Sequence, residues 1–131
     1  MRLVTKLVVA GAACGLMFTG ASPAMAASAT AYSTDAGTRG ASTHFDDGEN
    51  IYTVCDRDAD GMRAVGWIEV RQADGSWNKF PKIEALGDGN CVSNKAYIIR
   101  EDAAVMIKAC RKNGDGADRL RDCGSDTVSG S

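Results

Sequence analysis

The chain holds one histidine, His44, in 131 residues, and with that scarcity goes most of the usual acid–base and metal chemistry. A Ser-His-Asp or Cys-His arrangement needs an imidazole held rigidly beside its nucleophile. His44 instead lies in a stretch rich in Ala, Ser, Thr, Gly and Asp, and no nucleophile elbow occurs anywhere. A carboxylate pair of the glycosidase kind is open in principle, but a domain this small has little room for both a core and a cleft. No internal repeat is present in the sequence. A basic excess is also missing, with 15 Lys and Arg against 17 Asp and Glu. Nucleic acid is therefore not an expected partner, since binding phosphates needs a cationic surface that displaces counterions.

The only long apolar run is at the start. Arg2 and Lys6 precede Leu7 to Phe18, and Ala24-Met25-Ala26 follows, which is the pattern of a secretory signal peptide over 1–26. The run is too short to span ~30 Å of hydrocarbon as a retained anchor. Acylation of Cys14 is not expected, because Gly11-Ala12-Ala13 before it lacks a large aliphatic residue. Cleavage after Ala26 leaves 105 residues, thirteen basic and seventeen acidic, with a net charge of −4. That is one small domain, expected to be secreted, free of the membrane once cleaved and without a cytosolic cofactor.

Losing Cys14 leaves Cys55, Cys91, Cys110 and Cys123, an even number in an exported chain. Their separations of 36, 19 and 13 positions contain no zinc knuckle. Four cysteines allow three pairings. Cys110 with Cys123 is favoured because a Gly-rich turn lies between them, which leaves Cys55 with Cys91.

From Ala27 to about residue 48 the small polar composition suggests a flexible arm. The β domain is expected over 49–124, with a flexible tail at 125–131. Ile51-Tyr52-Thr53-Val54-Cys55 is β-branched and aromatic. Met62 to Arg71 alternates, with Ala64, Gly66, Ile68 and Val70 on one face and Arg63, Val65, Trp67 and Glu69 on the other. Gly66 at mid-strand marks a bulge or a close approach. Asp74-Gly75 is a hairpin turn, and Pro81 places the strand at Trp77 to Phe80 on an edge. Cys91 to Arg100 and Val105 to Cys110 complete the strands, although Ala103 to Lys112 also has helix-forming residues. Short strands separated by frequent turns predict an all-β fold, a small antiparallel sandwich or barrel with two disulfides.

Two groups of residues suggest chemistry. Asp56, Asp58 and Asp60 followed by Gly61 match the opening of a calcium loop, in which alternating carboxylates converge on a hard cation. The twelfth position is Trp67 rather than a bidentate glutamate, so an Asp-rich hairpin turn explains the same residues. Trp67, on the more polar face of its strand, and Trp77 are the candidate binding aromatics. They also suit a core position and a cross-strand staple.

The Ala-rich leader, the turn from Cys55 to Gly61 and the late pair Cys110 and Cys123 together resemble the small exported proteins of actinomycetes. The resemblance implies secretion and an all-β domain, and no activity. The expected function is non-catalytic extracellular binding, to a protein or a cell-wall component. A calcium-stabilised module is one alternative. An inhibitor of an extracellular hydrolase, presenting Arg111 to Asp122, is another.

Overall fold

The structure is a computed structural model that describes residues 28–97, 102–114 and 119–128. The expected signal peptide, the Ile98-Ile99 pair and residues 115–118 of the suspected inhibitory loop lie outside the described residues. Among the described residues there are nine strands and no helix: β1 Ala29–Tyr32, β2 Ala41–Asp46, β3 Ile51–Asp56, β4 Arg63–Arg71, β5 Trp77–Lys79, β6 Ile83–Ala85, β7 Cys91–Lys95, β8 Val105–Lys112 and β9 Leu120–Val128. All pairings are antiparallel.

They form two sheets, β1-β2-β3-β7 and β5-β4-β8-β9, with β6 beside β5 along the same edge of β4. The alternation in β4 holds: Ile68 and Val70 face Phe45, Tyr52, Val105 and Ile107 in the main core. The sheets approach closely at Gly66, where a Cβ would overlap Thr43 Oγ1 and lie 2.5 Å from Val54 Cγ2. The close approach expected there is real, and its partners are side chains of the opposite sheet. Ala103 to Lys112 resolves as a strand, because the alternating Val105, Ile107 and Ala109 are wholly or almost wholly buried in that core.

Two boundaries need correcting. The expected arm at 27–48 supplies β1 and β2, and the expected tail at 125–131 is strand as far as Val128. Small residues in the first stretch are there for fit, since Ala41 and Thr43 are fully buried where the sheets approach. β1 also reaches β9. Thr34 N–H donates to the Asp122 carbonyl at 2.8 Å, and Gly124 has no side chain because the Tyr32 carbonyl occupies that space.

Cys55 and Cys91 stand directly opposite on β3 and β7 and are joined by a disulfide. Cys110 and Cys123 join β8 to β9 at a bulge, where Asp122 and Cys123 together face Cys110. Asp122 takes the left-handed conformation there, with φ 51°. Both favoured pairings are present.

Candidate functional site

The Asp-rich turn is built from its own backbone. Asp56 is buried, and its Oδ2 accepts the Gly87 N–H at 2.8 Å while its Oδ1 accepts that of Asp58 at 3.2 Å. Asp60 Oδ1 caps the Met62 N–H at 2.8 Å, and its Oδ2 accepts from Arg111 at 2.6 Å. The carboxylates of Asp56 and Asp60 are thus turned toward different neighbours. Among the described residues no three His, Cys, Asp or Glu side chains converge on a point where a metal ion would sit.

Arg111 is the centre of a cluster that sequence reading missed. It reaches Asp60 at 2.6 Å, Asp122 at 3.1 Å and Asp35 at 3.6 Å, and its side chain is 17% exposed. Arg111 projects from the inner face of β8, so this guanidinium plugs one end of the sandwich. Burial disfavours its charge, but the hydrogen bond it donates to Asp60 and the three nearby carboxylates more than compensate and raise its pKa. Burial likewise opposes ionisation of Asp35. The Ser33 hydroxyl, the Gly40 N–H at 3.0 Å and Arg111 outweigh it and hold this carboxyl below the usual carboxylate range. The groups come from positions 35, 60, 111 and 122, and no local signal links them.

His44 lies on the outer face of the four-stranded sheet, opposite Thr30, with its Nδ1 2.8 Å from Thr30 Oγ1. Among the described residues no carboxylate bonds to the imidazole, and the neighbouring Thr53 and Ser93 hydroxyls bond to each other at 2.7 Å. The imidazole is exposed on a hydroxyl-lined sheet face.

The two tryptophans occupy one face of the five-stranded sheet in different settings. Trp67 is 7% exposed and packs with Val65, Cys110 and Leu120 in a small core on the sheet's outer side. Two lysines roof it, Lys82 Nζ at 4.9 Å and Lys79 Nζ at 5.2 Å from the ring centroid. It is a covered residue rather than an exposed anchor. Trp77 is 41% exposed and stands opposite Arg71 at the end of β4. The register puts Trp77 four residues along the strand from Trp67, so the two do not form a cross-strand pair.

Around them the charge is uneven. Arg63, Arg71, Lys79, Lys108 and Lys112 take outer positions on β4, β5 and β8, against Glu69 on β4 and Glu84 on β6. Glu84 accepts from Lys112 at 2.6 Å and from Arg63 at 3.1 Å, and these bonds hold its carboxyl below the usual range against the effect of burial. Beside Arg71 an open groove of about 480 Å³ runs along Gln72, Ala73 and Gly75 to Asp102 and Ala103.

No family model, curated protein or solved structure matches the chain.

Proposed function

We propose that this is a secreted, non-catalytic binding domain whose contact surface is the outer face of the five-stranded sheet at the β4–β5 hairpin. The observation that carries this reading is Trp77, a large aromatic left 41% exposed beside two cations, Arg71 and Lys79. Exposed aromatics next to arginine are the usual anchors of binding surfaces, because they bring a large contact area at little entropic cost. The two disulfides suit an oxidising compartment, and the signal-like leader gives the route there. The lone imidazole, on an open sheet face and bonded among the described residues to a threonine hydroxyl, supports the non-catalytic part.

The test is retention of the protein on washed cell-envelope material, comparing wild type with Trp77→Ala. The expected result is retention of the wild type and weak retention of the variant, both with the same melting temperature. Equal retention of the two, or turnover of a generic hydrolase substrate lost on one carboxylate substitution, overturns the reading.

A further inference from the structure

We infer that the β4–β5 face takes a linear acidic polysaccharide, one carrying carboxylate or sulfate groups along its length. This rests on the binding-domain reading above and names the ligand of that surface. Charge complementarity carries it. In a chain whose overall balance is −2, this sheet face places five strand cations against two glutamates, and Lys82 adds a sixth from the β5–β6 connection. Both glutamates are already engaged, Glu84 with Lys112 and Arg63, Glu69 with Lys79 at 3.7 Å. Among the described residues Arg71, Lys82 and Lys108 form no ion pair. Arg71 and Lys82 are exposed, and half of the Lys79 side chain is too, at 52%.

The arrangement of these groups narrows the ligand. Arg71 and Trp77 are partners across the β4–β5 pair, so a guanidinium and an indole project from neighbouring positions on one face. A charged sugar ring matches both at once, its C–H face on the indole and its anionic group on the fork of the arginine. Lys79 lies one outward position further along the strand, about 7 Å away, and Lys82 follows over Trp67. A pair of lysines gathered over one ring, with Arg71 further along the same face, favours a polymer with repeating charge over a single small anion. The cation–π contacts to Trp67 hold Lys79 and Lys82 close together despite their like charge, so the pair is preformed. A nucleic acid meets the same face less well, since the rest of the molecule is acidic and repels a dense phosphate backbone.

The experiment measures binding of the full-length protein to immobilised polygalacturonate, dextran sulfate, neutral dextran and a single-stranded oligonucleotide over a range of salt. The expected result is binding to polygalacturonate and dextran sulfate that weakens as salt rises, with none to dextran. Lys79→Gln with Lys82→Gln is expected to make the salt dependence shallower. Trp77→Ala is expected to weaken binding about tenfold, a typical effect of losing one stacking contact, at an unchanged salt slope. Salt-independent binding that includes dextran sinks the acidic ligand and leaves the binding domain standing. So does retention on envelope material without binding to either polyanion. Preference for the oligonucleotide overturns the inference in favour of nucleic acid. Failure to bind any of these, with no envelope retention, overturns both readings.

Discussion

Lys82 Nζ sits 4.9 Å from the centroid of the Trp67 ring, and together with Lys79 it closes the outer side of a tryptophan that is 7% exposed. The indole therefore stabilises the sheet from outside the sandwich. Trp67→Ala is expected to cost about 3–5 kcal/mol, the range for truncating a buried aromatic. Lys82→Gln is expected to cost less than about 1 kcal/mol, the scale of an exposed cation–π contact. Urea unfolding of both variants checks the ratio; similar losses would mean that the lysine, not the ring, does the packing.

Gly66 is one of the points where the two sheets touch. Gly66→Ala is expected to destabilise by about 1–3 kcal/mol through overpacking, and adding Thr43→Ala is expected to restore part of it. Thr43 Oγ1 is buried without a hydrogen-bond partner, so Thr43→Val alone is expected to be neutral or stabilising. Thermal melts of the three variants decide it. A wild-type melting temperature for Gly66→Ala would show that the sheets are further apart than described.

Acid is expected to unfold the protein through the Arg111 and Glu84 clusters. Asp35 and Glu84 have folded-state pKa values below those of the unfolded chain, so the folded state binds fewer protons than the unfolded state. Their contribution is complete above about pH 5 and is lost as pH falls through about 4 and below. Asp35→Asn is expected to cost about 1.5–3 kcal/mol at neutral pH, the range for a charge-assisted hydrogen bond, and to flatten the acid limb. Melting temperature against pH for wild type and variant is the measurement; parallel curves would mean Asp35 titrates as it does unfolded.

Removing calcium is expected to change nothing. Asp56 holds the turn at 87–90 through the Gly87 N–H, so Asp56→Ala is expected to lower the melting temperature equally in calcium and in chelator. A shift that depends on calcium would restore the metal reading of Asp56, Asp58 and Asp60.

Reductant is expected to open Cys55–Cys91 before Cys110–Cys123, because neither Cys55 nor Cys91 is buried, whereas Cys110 is fully buried and only its partner Cys123 is exposed. Loop closure over 36 and 13 positions predicts contributions of about 4 and about 3 kcal/mol respectively. Timed alkylation followed by mass spectrometry gives the order.

Much of this was legible where the signal is local. The period of two in β4, the Asp74-Gly75 turn, the edge position of β5 and the Cys110–Cys123 pair follow from neighbouring residues, and Cys55–Cys91 follows by elimination. β1 and β2 were hidden because alanine, serine and threonine read as disorder on composition, whereas here their small volume lets two sheets meet. The Arg111 cluster and the lysine roof on Trp67 were not legible, since each joins residues brought together only by the finished topology. Lys82 lies beyond Pro81, outside any strand, and nothing in the sequence aims it back at the indole.

The seam between β1 and β9 decides when the domain can be completed. The strand nearest the start of the fold is held on one side by β2, and beyond its end Thr34 bonds to Asp122 and Tyr32 lies against Gly124. Contacts between positions so far apart make folding slow and late, because the first strand waits for the last. The two ends of the fold are thereby fastened to each other in one event, and trimming either strand loosens both.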